Sequence, residues 1–195
     1  MRRLAVFSPF AGPSLDTLHQ QLRSATAAQH RDLDAMLADS LDDRRGYLRY
    51  LLGMLSLVEL LAPPPAAVDA RSAWTEWFDP QRRALLHQDL RELGLLPLAY
   101  RPAALPASCW MGANYVLEGS ALGARVLLRA AERLRLRDPR VPLAFLRHHA
   151  RPGDRWPRFL DELQTLDGDL RDDAARGARH AFALVADALI EKESA

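Results

Sequence analysis

The sequence is poor in cysteine and lysine, and both shortages restrict its chemistry. Cys109 is the only cysteine among 195 residues, which excludes a disulfide within the chain and an iron–sulfur cluster held by several of its own thiolates. A reducing, cytoplasmic location fits this composition. Lys192 is the only lysine, so arginine supplies almost all of the positive charge and offers a planar fork that can grip a carboxylate.

Long hydrophobic runs and a strong net charge are also missing. The longest apolar run, near residues 50–62, contains Glu59 and is too short to span a bilayer. The formal charge is +1, so no global field favours nucleic acid or an acidic membrane. The basic N-terminus is interrupted by Pro9 and lacks a small-x-small cleavage site, so we predict a loose arm over residues 1–13. We therefore expect a protein that uses neither nucleic acid nor a membrane as its partner.

The apolar residues recur at the three-and-four spacing of amphipathic helices, and no useful segment alternates as a strand would. The chain is predicted to form a single all-α domain over residues 14–192, with six to eight helices. Ser14 and Ser40 are the predicted N-caps of the first two helices. The ranges of the longer predicted helices are 14–38, 40–62, 80–94, 108–137, 156–166 and 172–191, and a short helix is expected near 145–149.

The first predicted helix carries a histidine within its apolar stripe. His30 follows Thr26 by four residues and precedes Leu33 by three, which predicts that its side chain points inward. Arg23 lies two turns earlier on nearly the same face, about 10 Å along the axis. One ligand could thus meet an imidazole and a guanidinium, as a metal complex with acidic side arms would. The other interpretation is a core histidine hydrogen-bonded to a neighbour.

Five other histidines compete for a ligand role. His19 precedes His30 by eleven residues, which places it on nearly the same face of the helix. It lies near the helix start, however, where solvent is expected. His148 and His149 follow Arg147 in a polar segment and are predicted to lie on the surface. The remaining two are His87, which is offset from its helix's apolar stripe, and His180.

Glycines interrupt the longest helix of the second half at Gly112, Gly119 and Gly123. Each costs about 1 kcal/mol relative to alanine in a helix interior, so a compensating reason is expected. One interpretation is close packing between helices, and the other is close approach of a flat ligand to the backbone. Tyr115 lies one turn before Gly119 and places a phenol at the edge of the same surface.

Three stretches together resemble the haem oxygenases, particularly the bacterial enzymes associated with bacteriophytochromes. They are the Leu-Arg-x-x-Thr-x-x-x-His run at 22–30, the LLHQDLRELG run at 85–94 and the Glu-Gly-Ser-x-Leu-Gly run at 118–123. The resemblance covers residues 15–189 and implies a helical fold that holds haem between a proximal and a distal helix. Ala121 departs from it, because a polar residue is common there, and Arg155 and Arg158 have no clear match among the family's propionate contacts.

The resemblance also implies a role for individual residues. His30 would be the proximal iron ligand. Arg23, Thr26 and Tyr115 would contact the haem, with Arg23 and Tyr115 near its propionates. Gly119, Ser120 and Gly123 would form the distal, catalytic side.

The function implied is oxidative opening of haem to biliverdin, iron and carbon monoxide. Molecular oxygen and an electron donor such as ferredoxin or a flavoprotein reductase would take part, and a bacteriophytochrome could receive the product. A haem carrier or sensor could use the same pocket without opening the ring. Two further alternatives are a thiaminase-II-like enzyme with Cys109 as nucleophile and a helical protein that only binds a partner.

Overall fold

The computed structural model describes residues 17–37, 41–62, 74, 76–96 and 105–190. Within these residues the chain is helical and contains no strand, which confirms the predicted all-α class. Seven helices can be bounded there: α1 (Leu18–Leu37), α2 (Arg44–Leu60), α3 (Pro80–Glu92), α4 (Ala107–Arg137), α5 (Ala144–His149), α6 (Arg155–Leu163) and α7 (Asp169–Ile190). The predicted arm at 1–13 and the predicted caps Ser14 and Ser40 lie outside the described residues.

Local sequence signals explain where several helices begin and end. The N-cap of α2 is Asp43, whose carboxylate accepts a hydrogen bond from the Gly46 amide, so the helix starts four residues after the predicted cap at Ser40. Asp79 caps α3 in the same way, followed by Pro80 at the first helical position. Gly94 ends α3 with a φ of 84°, a left-handed conformation that glycine adopts without strain.

Helix α7 organises the bundle, because it packs against α1, α2 and α4. Its buried face carries small residues, and Gly177 lies against the backbone of Cys109 in α4. Gly112 of α4 lies in turn against the Ala174 carbonyl of α7, where an added Cβ would come within 1.8 Å of the oxygen. Glycine at both positions therefore lets the two helix backbones touch, and the packing interpretation is correct for Gly112.

Buried apolar side chains from all seven helices form one cluster. Trp74 and Trp77, from the segment before α3, are part of it. Phe182, Val185 and Leu189 contribute buried side chains from α7. Gln164, after α6, accepts a hydrogen bond from the Leu18 amide and fixes the start of α1. Among the described residues, no helix has the length and apolar character needed to cross a membrane.

Candidate functional site

His30 lies on the exposed side of α1, so the prediction that it points inward is wrong. Its side chain is 64% exposed, and its Nδ1 atom lies 2.9 Å from Oδ2 of Asp34, one turn later. One side of the ring faces Phe182 of α7, with centroids 5.9 Å apart. A carboxylate at Nδ1 favours the neutral tautomer that keeps a proton there, which leaves the Nε2 lone pair for a metal.

His19 occupies the more enclosed position on the same helix. Its ring lies 5.8 Å from the rings of both Tyr115 and Trp156, and its Nδ1 atom is buried without a hydrogen-bond partner in the described structure. Burial lowers the pKa of His19, and the nearby charge of Arg23 lowers it further. The solvent expected at this position is therefore largely replaced by aromatic rings from α4 and α6.

Arg23 and Tyr115, the two residues predicted to meet the propionates, lie close enough for the charge of Arg23 to act on the Tyr115 phenol. Burial raises the pKa of the Tyr115 phenol, and the Arg23 charge opposes that increase. Arg23 is exposed and can reach a ligand at the helix surface, whereas Tyr115 is only 8% exposed. Thr26 is buried and its hydroxyl donates to the Leu22 carbonyl at 2.8 Å, so a haem contact by its side chain stays a prediction.

One face of α4 is apolar and open. Gly119, Leu122, Gly123 and Val126 follow one another at helical spacing, and we call these four residues the glycine stripe. Leu122 is 47% exposed and Val126 is 67% exposed. A Cβ added at Gly123 would meet nothing within 4 Å, and one added at Gly119 would meet only the Trp156 ring, at 3.4 Å. Helix packing therefore does not explain these two glycines as it explains Gly112.

Ser120 lies next to the glycine stripe in the sequence, and its hydroxyl contacts buried groups of α4 and α5. Its Oγ donates to the Leu117 carbonyl at 2.7 Å and lies 2.8 Å from Nε2 of His149 in α5. His149 is 2% exposed and stacks on Phe145, so the prediction that it lies on the surface is wrong. Burial lowers its pKa well below the ordinary value, with Arg82, His148 and Arg155 adding in the same direction.

A buried ionic network holds α4 immediately before the glycine stripe. Glu118 is 1% exposed and accepts hydrogen bonds from Arg82 of α3, at 2.7 and 3.2 Å, and from Arg155 of α6, at 3.0 and 2.9 Å. Sequence reasoning missed this role, although a carboxylate between Leu117 and Gly119 in an otherwise apolar stretch was a usable signal. The network fixes the rotation of α4 and hence the direction of the glycine stripe.

The same network continues to α5, where Asp79 pairs with His148. Asp79 lies 3.7 Å from Nε of Arg82 and 2.8 Å from Nε2 of His148, whose side chain is only 12% exposed. His148 is thus also not the surface residue that the sequence predicted. Arg155 is bound to Glu118 and Arg158 to Glu76, so each of these guanidinium groups already has a carboxylate partner.

Cys109 does not have the surroundings of an activated nucleophile. Its thiol is buried, and burial together with Asp173 raises its pKa, which disfavours the thiolate. Its backbone lies against Gly177 in the crossing of α4 and α7. These surroundings do not support the thiaminase-II-like alternative.

Comparison with known proteins rests on structure alone. No family model matches the sequence, and no curated protein matches it. A solved structure of haem oxygenase from Neisseria meningitidis, with NO and CO bound, superimposes with a TM-score of 0.73 and 24% sequence identity. The match covers 91% of this chain and 92% of that one. The chain has the haem oxygenase fold.

Haem is a flat, apolar ring with two carboxylates and an iron that binds an imidazole, and the described residues fit each part. The glycine stripe offers an open apolar face on which no side chain stands at Gly119 or Gly123. His30 lies on the exposed side of α1, and Arg23 is an exposed residue two turns earlier on the same helix. Among the described residues no three histidine, cysteine, aspartate or glutamate side chains gather as a metal cage.

Proposed function

We propose that this protein is a haem oxygenase that binds haem through His30 and opens the ring to biliverdin, iron and carbon monoxide. The observation that carries the proposal is the haem oxygenase fold combined with an open stripe on α4 that has no side chain at Gly119 and Gly123. A flat macrocycle can lie against such a stripe, because only glycine lets it approach the helix backbone. The bound haem would supply the iron at which oxygen is activated.

The chain's own residues would orient the substrate. In the proposal His30 binds from the α1 side, with its ring held by Asp34. Arg23 would pair with a propionate in the planar, forked manner of a guanidinium, and Tyr115 would border the same edge. These two contacts would set the in-plane rotation of the ring, and therefore which meso carbon is oxidised.

The distal side has few groups that could act as an acid or base. Apart from Ser120 and Arg125, the residues from 119 to 126 have apolar side chains or none. A site of this kind leaves oxygen in contact with the ring edge and with water, which suits oxidation of the porphyrin itself. Electrons would come from a ferredoxin or a flavoprotein reductase, and a bacteriophytochrome in the cytoplasm is our proposed recipient of biliverdin.

The second candidate is a haem carrier or sensor, favoured by the exposure of His30, since an open site also allows haem to leave. Adding haemin to the purified protein distinguishes the candidates. We expect a histidine-ligated ferric spectrum, followed by its loss and the growth of biliverdin absorption when ascorbate or a ferredoxin system is supplied in air. A haem spectrum that is stable to reductant and oxygen would identify a carrier, and no haem spectrum at all would contradict both functions.

A further inference from the structure

The Ser120 hydroxyl has two polar neighbours but only one hydrogen. Its Oγ lies 2.7 Å from the Leu117 carbonyl, which can only accept, and 2.8 Å from Nε2 of His149. If the serine hydrogen points to the carbonyl, His149 must donate to Oγ, and both contacts are hydrogen bonds. If it points to His149 instead, the carbonyl contact is lost.

The surroundings of Nδ1, the other ring nitrogen of His149, favour the same placement of the hydrogens. Nδ1 is buried and has no partner among the described residues. A proton on Nδ1 would therefore be an unpaired buried donor. Nε2 would then have to accept the serine hydrogen, so the hydrogen bond to the Leu117 carbonyl would also be lost. A proton on Nε2 satisfies both bonds and leaves only a nitrogen lone pair unpaired.

Packing holds the imidazole in this geometry. Its ring lies parallel to Phe145, with centroids 5.2 Å apart and an interplanar angle of 14°. The charged groups that act on it are Arg82 of α3 and Arg155 of α6, with His148 on its own helix, and all three disfavour a second proton on the ring. The carboxylate of Glu118 pairs with both arginines and fixes their positions near the ring.

We propose that His149 is a positioning residue that, as the neutral Nε2–H tautomer, holds the Ser120 hydroxyl as an acceptor toward the glycine stripe. Oγ has two lone pairs, one of which receives the His149 hydrogen, so one remains for a donor at the stripe. The hydroxyl hydrogen is committed to Leu117. Water beside Gly119 and Gly123 is therefore oriented with a hydrogen toward Ser120, and Ser120 itself donates no proton.

The first test uses the protein without haem. Nitrogen-15 NMR of labelled histidine should show His149 with a protonated Nε2 and a bare Nδ1, unchanged between about pH 6 and 8. Ser120→Ala removes the acceptor and should mix the two tautomers, whereas Ser120→Thr keeps the hydroxyl and should preserve one. A proton on Nδ1 in the unaltered protein, or an unchanged tautomer in Ser120→Ala, overturns the proposal.

The second test rests on the proposed function, because it needs bound haem. In the unaltered protein the His149 donor keeps the Ser120 hydrogen on the Leu117 carbonyl. His149→Leu removes that donor, so the hydrogen can leave Leu117 and turn toward the stripe, where it stabilises negative charge. The pH at which the ferric haem spectrum changes should then fall by about one unit, the equivalent of one hydrogen bond. His149→Gln supplies an amide N–H in place of Nε2–H and should restore the original value.

The outcomes of the two tests separate the two proposals. Equal shifts in His149→Leu and His149→Gln would mean that the ring only fills space, which overturns the positioning role. A protein that binds no haem contradicts the proposed function, while the NMR measurement still decides the state of the Ser120–His149 pair.

Discussion

Nδ1 of His30 lies 2.9 Å from the carboxylate of Asp34, one turn along the same helix. The pair is exposed, so its strength as an ion pair is small, and its value lies in fixing the tautomer and the ring direction. A histidine whose Nδ1 is occupied by a carboxylate has one nitrogen left for iron. His19, the other candidate on α1, instead has an unpartnered Nδ1 enclosed by Tyr115 and Trp156.

The first prediction compares the two histidines of α1. His30→Ala should lose the histidine-ligated ferric spectrum and turnover, and added imidazole should restore the spectrum. His19→Ala should keep both, because its ring packs between Tyr115 and Trp156. Visible absorption spectra of the haemin-loaded variants measure the result. Loss of the ligated spectrum in His19→Ala alone would mean that His19, and not His30, is the iron ligand.

The second prediction concerns the open glycines of α4. Gly123→Leu and Gly119→Leu should abolish or strongly weaken haem binding, because a side chain would occupy the face on which the ring lies. Stability should not fall in Gly123→Leu, since a Cβ there meets nothing and leucine favours a helix by about 1 kcal/mol over glycine. Haemin titration and thermal unfolding measured by circular dichroism test both statements.

Gly112→Ala is the matched control for this pair. Its Cβ would come within 1.8 Å of the Ala174 carbonyl oxygen, so the crossing of α4 and α7 must open and the protein should be strongly destabilised. Normal haem binding in both leucine variants would favour a packing role for all three glycines and contradict a ligand surface on α4.

The helices could be predicted from the sequence because their periodicity and breakers are local. The α4 range of 107–137 differs by one residue from the predicted 108–137, and the all-α class followed from the same pattern. The N-cap of α2 was misplaced because Asp43 and Ser40 are both good caps, and only the three-dimensional course of the chain decides between them.

The surroundings of single side chains could not be predicted in this way. His30 was expected inside because it shares a period with Thr26 and Leu33, but α7 covers only part of that stripe, and His30 lies at its edge. His148 and His149 look like a polar surface segment beside Arg147. They are enclosed because Asp79 and Ser120, 69 and 29 residues away in the chain, supply their hydrogen-bond partners. Such long-range polar pairs leave no periodic trace in a sequence.

The third prediction separates the propionate contact from the iron ligand. Arg23→Ala should weaken haem binding between about twofold and a hundredfold, the range of a charge-assisted hydrogen bond, while the His30-ligated spectrum survives. The mixture of biliverdin isomers should broaden, because the ring loses an in-plane anchor. Arg23→Lys should fall between, since it keeps the charge and loses the fork. Product chromatography decides, and an unchanged isomer pattern with unchanged affinity would place the propionates elsewhere, with Tyr115 as the next candidate.

The fourth prediction concerns the ionic network beneath the glycine stripe. Glu118→Gln removes the buried carboxylate that binds Arg82 at 2.7 Å and should lower the free energy of unfolding by about 3–5 kcal/mol. Glu76→Gln removes the partner of Arg158 at an exposed position, where both side chains are about half exposed, and should change it by less than about 1 kcal/mol. Urea unfolding of the two variants gives the comparison, and equal losses would show that the network carries no special stability.

The last prediction uses Asp89, a fully buried residue of α3 whose carboxylate binds the first amides of α5. Its two oxygens accept hydrogen bonds from the amides of Ala144, at 3.2 Å, and Phe145, at 2.9 Å. Burial nevertheless raises the pKa of Asp89 from 3.8 to about 6, against the opposing effect of these amides. The folded state therefore binds the proton more tightly than the unfolded state.

The sign of the pH effect follows from this difference. Asp89 contributes most stability below its unfolded pKa of 3.8, and that contribution is lost as the pH rises through about 6. Asp89→Asn cannot ionise. The hydrogen-bond acceptor that it loses changes the free energy of unfolding by an amount that does not depend on pH. The free energy of unfolding of Asp89→Asn minus that of the unaltered protein should therefore rise by about 2.4 kcal/mol between pH 4 and 7, with a slope that approaches about 1.4 kcal/mol per pH unit only between the two pKa values. Urea unfolding at several pH values measures this difference, from which the other titrating groups cancel. A difference that stays constant or falls over the interval would mean that the two amides hold the carboxylate ionised, and that its burial is fully offset.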